Sequence, residues 1–301
     1  MIRRLLQCIP ALFGVVCVVF IMTHAIGNPI AALLPPEASE EQYHQLEEAL
    51  GFDKPLGQQF IGYWRNALRG DFGSSYWLNQ PALGIVLQRL PATIELALAA
   101  LLIAIVLGIP AGICAAVKRN SVVSTAVSVV SVLGMSMPDF WLGMILILWF
   151  GVSLRWLPIS GRGGVEHLVL PACALGIRMM AILARLMRAD MLDVLSQDYV
   201  RTAWAKGLRR SVVVSKHAVR NALIPTITMI GLQFGALIGG AVVVESVFGW
   251  PGAGRLLLQA IERRDYPLIQ AAALVLAIAF LAINLLVDLV YGFVDPRIRY
   301  E

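Results

Sequence analysis

Charge is scarce in this chain of 301 residues: Asp, Glu, Lys and Arg together make up 14% of it, whereas apolar residues make up 58%. Soluble domains typically contain roughly 25% charged and 45–50% apolar residues. The mean hydropathy of +0.76 departs from soluble domains in the same direction. The composition therefore predicts an integral membrane protein and disfavours a soluble domain.

Cysteine is also rare, and its positions carry no metal-binding pattern. Cys8, Cys17, Cys114 and Cys173 lie in apolar runs, without a C-x-x-C pair and without a histidine at metal-ligand spacing. Isolated cysteines in apolar surroundings are typical of small packing residues. We therefore interpret all four as core residues and expect no metal site.

Motifs for nucleotide binding and catalysis are missing. The sequence has no G-x-x-x-x-G-K-[ST] loop that would hold nucleotide phosphates. Its histidines and candidate serines form neither an H-E-x-x-H helix nor a Ser–His pair within one span. These residues are His24, His44, His167, His217, Ser136 and Ser160. We predict a non-catalytic chain that binds no cofactor and takes its energy from another protein.

Six long runs with almost no charge predict an all-α membrane protein with six transmembrane helices, since about 20 apolar residues cross a bilayer. The runs cover residues 5–26, 96–117, 121–154, 168–184, 222–244 and 268–287. The first follows a basic start but is longer than the apolar part of a signal peptide, so we expect it to remain as a span. The third is too long for one straight span, and Pro138 either kinks a single tilted helix or divides a re-entrant pair.

The basic residues predict the orientation of these spans. With the third run counted as one span and the amino terminus inside, the inside segments hold 14 Lys and Arg in about 50 residues and the outside segments 9 in about 100, as the positive-inside rule expects. Both termini are then cytoplasmic. The predicted parts are 1–90, the first helix with an extracytoplasmic segment; 91–292, a core of five helices; and 293–301, a cytoplasmic tail.

The predicted extracytoplasmic segment is acidic at first and aromatic later. Phe60, Ile61, Trp64 and Leu68 recur at helical spacing. This spacing predicts a short amphipathic helix that lies on the outer membrane face or over the ends of the spans.

A strongly basic segment, residues 185–224, connects the fourth and fifth predicted spans. Its apolar stripes predict a short helix, a turn at Gly207 and a second helix, with Pro225 opening the next span. Composition leaves two interpretations open. The segment is either a solvated loop held to anionic lipid or a docking element for a cytoplasmic partner, because Trp204 and Leu208 place apolar surface among the charges. Nucleic acid is disfavoured, since no readout motif is present.

This segment resembles the cytoplasmic loop of the permease subunits of bacterial ABC importers, in the dipeptide, oligopeptide and nickel group. Those loops share E-A-A, three residues, G, a spacer and I-x-L-P. Here Ala203 and Gly207 match the second A and the G, while Arg201 and Thr202 stand where E and A are expected. Further stretches resemble the same group in order along the whole chain: "RRLLQCIPALFGV", "LGFDKPL", "GDFGSS", "RLPATIELAL", "GMSMPDFWLG", "LRWLPISG", "VVVESVFGWPGAGRLLLQAI", "RDYPLIQ" and "NLLVDLVYGFVDPRIRY".

The resemblance implies a type I ABC importer permease in the bacterial cytoplasmic membrane, which forms half of a translocation path. The implied partners are a homologous second permease, two ATP-binding subunits that use ATP and Mg, and an extracytoplasmic substrate-binding protein. The implied substrates are short peptides, with nickel chelates or glutathione as alternatives; a self-sufficient channel or secondary transporter is a more distant one. The residues implied to couple to the ATPase are Arg201, Thr202, Ala203, Trp204, Lys206, Gly207 and Leu208.

Ionisable residues inside predicted spans are candidate functional residues. At 1.5 Å per residue, Asp139 and Arg178 are predicted to differ in depth by about 8 Å. Arg178 pairs with Asp139 or with an acid of the partner permease, or it faces the pore, where its guanidinium suits a substrate carboxylate. Glu245, at the outer end of the fifth predicted span, either helps to gate the outer mouth or caps the helix end.

Overall fold

The regular structure of the chain is helical. The computed structural model describes residues 2–25, 30–34 and 38–294, and these residues contain no β-strand. The helices are α1 (Ile2–Ala25), α2 (Ile30–Leu33), α3 (Glu40–Leu50), α4 (Leu56–Leu68), α5 (Ala82–Val117), α6 (Val122–Ser136), α7 (Asp139–Leu146), α8 (Val165–Ser196), α9 (Asp198–Ala205), α10 (Arg210–Val212), α11 (Arg220–Val247), α12 (Ala253–Glu262) and α13 (Tyr266–Val294). Two π-helical segments extend this set: Ile147–Ser153 continues α7, and Val213–Val219 joins α10 to α11. The predicted all-α class is confirmed for the described residues.

Several helices are long and apolar enough to cross a membrane. Within the described residues they are Ala82–Val117, Val165–Ser196, Arg210–Val247 and Tyr266–Val287. A shorter apolar helix, Ile9–Ala25, lies within the first predicted span, whose last residue, Ile26, is outside the described residues. From residue 295 onward, the predicted cytoplasmic tail is also outside them.

The third predicted span is broken where Pro138 interrupts it. Helices α6 and α7, with the π-helical continuation of α7, are bent by 108° relative to each other. Met137 has ψ 130° and Pro138 has ψ 139°, so both residues are extended. The proline ring disfavours helical backbone in the residue before it, and proline has no N–H to continue the helical hydrogen bonds. The pair is therefore a broken span or a re-entrant loop.

The basic segment differs from the predicted helix, turn and helix in two ways. Its first apolar stripe, which includes Met187 and Met191, is the end of α8 and not a separate helix. Both methionines are fully buried, in a cluster with Ala218 and Ala222, and this burial extends α8 past the apolar run. Pro225 does not open a helix but lies inside the continuous helix Arg210–Val247, because the π-helical segment connects the earlier turn directly to α11.

Two compact units divide the chain. The first comprises Met1–Thr93 and Pro251–Leu281, and the second comprises Ile94–Trp250 and Ala282–Glu301. Helices α5 and α13 each contribute residues to both units.

In the first unit, α4 packs its aromatic face against α1 and α13. The cluster contains Val16, Phe20, Tyr63 and Leu274, with Phe60 and Trp64 packed against it. The predicted amphipathic helix is therefore present as α4, but only part of its predicted stripe faces the cluster. Ile61 is 67% exposed and Leu68 is 73% exposed, because the buried face is centred on Tyr63.

In the second unit, α8 packs against α6, α7 and α11, and it crosses α5 at close range. A Cβ atom added to Gly176 would lie 2.7 Å from the carbonyl oxygen of Ala100, and one added to Gly112 would lie 2.6 Å from that of Ala184. Real Cβ atoms do not come this close to a carbonyl oxygen, so these positions require glycine. Such small residues let helix backbones approach closely in membrane proteins.

Candidate functional site

Helix α9 lies between two longer helices and is fixed by its buried face. Val200 and Ala203 are buried together with Val213 of the π-helical segment. The hydroxyl of Tyr199 accepts a hydrogen bond of 2.9 Å from Nδ2 of Asn221, in the first turn of α11. After α9, Gly207 adopts φ 75°, a left-handed conformation that glycine reaches without strain. These contacts attach α9 to the π-helical segment and to α11.

The outward face of α9 and the turn after it carries most of the residues implied by the resemblance. Ala203 is 5% exposed, whereas Trp204 is 41% and Leu208 is 38% exposed. The other exposed members of the set are Arg201, Thr202, Lys206 and Gly207. Nη1 of Arg201 lies 3.4 Å from Oδ1 of Asp198, but both side chains are largely exposed, so the pair contributes at most about 1 kcal/mol.

Trp204 also borders a groove of ≈ 370 Å³. Nη2 of Arg210 donates a 3.0 Å hydrogen bond to the carbonyl oxygen of Val117, which ties the turn after α9 to the end of α5. The described residues that line the groove include two cations and no acid: they are Ala116, Val117, Arg119, Leu192, Leu195, Ser196, Trp204, Arg210 and Val214. The groove therefore presents positive charge beside apolar surface.

A second cavity of ≈ 230 Å³ lies among α7, α8 and α11. Its polar side chains come from one residue on each helix, namely Asp139, Arg178 and Gln233. The apolar part of the lining is Leu175, Met179, Ile182, Ala236, Leu237 and Gly240. The structure thus brings together two charged residues that the sequence placed at similar depth on different spans.

Asp139 and Arg178 act on each other electrostatically, but no ion pair within bonding distance joins them. Asp139 is the first residue of α7, where the partial positive charge of a helix start attracts a carboxylate. Its Oδ1 atom is buried and has no hydrogen-bond partner. The arrangement can therefore accept a donor at Asp139 and offer a guanidinium from Arg178.

Glu245 lies in the last turn of α11 and is fully buried. Its backbone carbonyl accepts a 2.8 Å hydrogen bond from the N–H of Trp250, in the turn after the helix. The guanidinium of Arg162 lies 5.9 Å from the centre of the Trp250 ring and also pairs with Glu95. Glu245 therefore belongs to a packed helix end.

The first unit contains a polar cluster that sequence reasoning missed. Asp265, 1% exposed, accepts hydrogen bonds from the Ser75 hydroxyl (2.5 Å), the Trp77 N–H (3.1 Å) and the Leu268 N–H (3.2 Å). The guanidinium of Arg263 lies 3.8 Å from the centre of the Trp77 ring. The only sequence signal was Asp265 directly before an apolar helix, which indicates an N-cap but not its partners 190 residues away.

Burial also affects two tyrosines of the first unit. It raises the pKa of Tyr63 to about 12. It raises the pKa of Tyr76 to about 12 as well, with a smaller contribution from the negative charge of Asp265. Both phenols therefore stay neutral at physiological pH. Among the described residues, no group of three His, Cys, Asp or Glu side chains is arranged to hold a metal ion.

The comparison that decides the family covers most of the second unit. The family described as "Binding-protein-dependent transport system inner membrane component" matches residues 108–300. The chain belongs to this family. The permease is therefore a multi-pass component of the bacterial inner membrane and a subunit of an ABC importer. Such components are generally non-catalytic, and the ATPase is a separate subunit.

Relatives similar over the full length are also permeases. The "Glutathione transport system permease protein GsiC" of Escherichia coli (strain K12) is 45% identical over 301 residues, which cover 100% of this permease and 98% of that protein. The protein of the same name from Shigella dysenteriae serotype 1 (strain Sd197) shows the same identity and coverage.

Solved structures with a similar fold come from ABC transporters. The "Inward facing conformations of the MetNI methionine ABC transporter" match with a TM-score of 0.56 and 17% identity, covering 70% of this permease and 96% of that chain. The "Crystal structure of an amino acid ABC transporter with histidines" matches with a TM-score of 0.51 and 17% identity, covering 71% and 94%. At this identity the likeness shows a shared permease fold.

Proposed function

We propose that this permease forms half of the translocation path of an importer for short peptides, with glutathione as the first candidate substrate. The supporting observation is the 45% identity over the whole chain to glutathione permeases. Glutathione is the alternative that the sequence resemblance left beside di- and oligopeptides, and these relatives favour it. Nickel chelates are the second candidate substrate, and only the sequence resemblance supports them.

The proposed topology has six spans and cytoplasmic termini. In it, α1 is the first span, and α6 with α7 forms one broken span. The excess of Lys and Arg in the segments then assigned to the inside supports this arrangement. Asp139 and Arg178 would line the translocation path, and Glu245 would support its outer end from within the packed helix end.

The proposed coupling element is α9 with the turn that follows it. A separate ATPase subunit would bind the exposed face that contains Trp204 and Leu208, and α9 would transmit its movement to α8 and α11. ATP and Mg would be held by two such ATPase subunits, and this chain would bind no cofactor. A homologous second permease and an extracytoplasmic binding protein would complete the importer. The apolar exposure of Trp204 within a basic surface supports docking over simple lipid contact.

The substrate is tested with the complete importer reconstituted in proteoliposomes with its cognate binding protein. Glutathione, α-linked di- and tripeptides and nickel chelates are compared for binding to that protein and for ATP-driven uptake. Uptake of glutathione or another short peptide supports the proposal. Uptake of nickel chelates alone would replace it with the second candidate, and uptake without any ATP-binding subunit would contradict the importer assignment.

The coupling element is tested by Trp204→Asp. We expect ATP-driven uptake to fall by about tenfold or more, because a charge replaces an aromatic anchor of the kind that dominates interface energetics. The matched variant Trp204→Phe keeps an aromatic ring and should retain most of the activity. Co-purification of the ATPase subunit with each variant locates the defect. Unchanged uptake by Trp204→Asp would show that α9 does not dock the ATPase.

A further inference from the structure

Two opposite charges, Asp139 and Arg178, line the cavity among α7, α8 and α11. Oδ1 of Asp139 is buried without a hydrogen-bond partner. Arg178 influences Asp139 electrostatically but forms no ion pair with it. A buried polar atom without a partner costs about 1–3 kcal/mol, so such atoms are rare unless something else satisfies them. Arg178 is exposed and lines the same cavity as Asp139, so a ligand in the cavity can approach its guanidinium and the Asp139 carboxylate together.

The cavity is small, and Gly240 lines it beside Asp139. A Cβ atom added to Gly240 would lie 3.6 Å from Oδ2 of Asp139 and 3.2 Å from Cδ1 of Leu175, so glycine leaves slightly more room beside the carboxylate than a larger residue would. The volume of ≈ 230 Å³ lies below the roughly 300–1,000 Å³ of sites for drug-sized ligands. The cavity therefore encloses about one amino-acid-sized group, and the rest of a longer substrate would extend through its open side.

We propose that this cavity receives the end of a substrate that carries a free ammonium and a free carboxylate on the same carbon atom. Asp139 accepts hydrogen bonds from the ammonium, and the guanidinium of Arg178 donates to the carboxylate. The amide of Gln233, which can donate and accept, completes the polar lining. Substrate then supplies a hydrogen-bond partner to each charge of the cavity. This inference rests on the proposed function, because it assumes a peptide substrate.

The proposal separates two classes of peptide. In a γ-glutamyl peptide such as glutathione, the ammonium and one carboxylate are bonded to the same carbon at one end of the molecule. In an α-linked peptide, the free ammonium and the free carboxylate lie at opposite ends. A cavity that holds a single residue-sized group satisfies both of its charges with the γ-glutamyl end. With an α-linked peptide of three residues, it satisfies only one of them.

The test measures ligand binding to the complete importer complex, without nucleotide and without the binding protein. The ligands are glutathione, its analogue lacking the amino group and its analogue lacking the γ-glutamyl carboxylate. We expect Asp139→Asn to weaken glutathione binding by about tenfold to a hundredfold, the range of a charged hydrogen bond, and to leave binding of the des-amino analogue unchanged. Arg178→Gln should weaken glutathione to the same extent and leave the des-carboxy analogue unchanged.

A matched control is available on the same helix. Arg185 is exposed and outside the cavity lining, so Arg185→Gln should leave all three affinities unchanged. Equal losses for all three ligands in Asp139→Asn and Arg178→Gln would overturn the proposal, because the charges would then support the protein and not the substrate. Absence of glutathione binding to the wild-type complex would also overturn it.

Uptake measured in parallel keeps this inference distinct from the proposed function. Glutathione uptake through the reconstituted importer without binding in the cavity would contradict the inference and leave the function standing. Glutathione binding that is lost in both variants, without ATP-driven uptake by the wild type, would support the inference and contradict the function.

Discussion

Asp265 in the first unit and Asp139 in the second both stand at the start of an apolar helix, but their carboxylates have opposite environments. Asp265 accepts three hydrogen bonds from its own chain, whereas Oδ1 of Asp139 accepts none. The hydrogen-bonding capacity of Asp265 is largely used to join two segments of the chain. The hydrogen-bonding capacity of Asp139 is unused at Oδ1. The contrast separates an acid that joins two segments of the chain from an acid whose buried Oδ1 atom joins none.

The largest effect is expected from Asp265→Asn, which keeps the shape of the side chain and removes its charge. The variant turns one acceptor oxygen into an amide donor that faces either the Ser75 and Trp77 donors or the Leu268 N–H. We expect a loss of about 3 kcal/mol, because charged hydrogen bonds contribute about 1.5–3 kcal/mol each. The apparent melting temperature of the purified complex measures the loss. The neighbouring exposed Glu262→Gln is the control and should change it little; an unchanged value for Asp265→Asn would contradict the structural role.

An intermediate effect is expected from Ser75→Ala. The variant removes the hydroxyl that donates to Asp265 and that also accepts from the Leu78 N–H. We expect a loss of about 1–2 kcal/mol, since the other two hydrogen bonds to Asp265 remain. Ser74 is exposed and adjacent, so Ser74→Ala provides a matched comparison in the same thermal measurement. If the two alanine variants melted at the same temperature, the hydroxyl of Ser75 would have no role in the cluster.

The smallest effect on stability is expected from Asp139→Asn, the same chemical change that is most damaging at Asp265. Since no hydrogen bond to Oδ1 is lost, the free energy of unfolding should change by less than about 1 kcal/mol or should increase. The variant complex is compared with wild type by thermal unfolding in the absence of substrate. A loss as large as that of Asp265→Asn would mean that Asp139 is an acid that stabilises the fold, and the contrast would disappear.

The apolar runs were sufficient to predict where the long helices lie, because about 20 apolar residues in sequence have few alternatives to a membrane-buried helix. The predicted run 268–287 lies inside α13, Tyr266–Val294. Helix ends were less predictable. Helix α8 continues through the charged residues up to Ser196 because Met187 and Met191 are buried by residues distant in sequence. No pattern of neighbouring residues in the sequence predicts the burial of these two methionines.

The candidate site was also only partly predictable from the sequence. Residue spacing placed Asp139 and Arg178 at similar depth, and the structure brings both to one cavity. Gln233, the third polar residue of that cavity, was not singled out, because a lone glutamine in an apolar run carries no motif. The hydrogen-bond partners of Asp265 could not be predicted from the sequence either. A hydrogen bond between Ser75 and a residue 190 positions away depends on how the chain folds and not on its local pattern.

Helix α8 connects the cavity directly to α9. Only Gln197 separates it from α9, and Arg178 lies in its middle. From Arg178 to Ser196 the helix contains no proline and extends for about 27 Å at 1.5 Å per residue. Pro171 lies on the other side of Arg178. A force applied at α9 would reach the cavity arginine through this uninterrupted segment, and Gly112 of α5 lies so close to Ala184 within it that no Cβ atom fits between them.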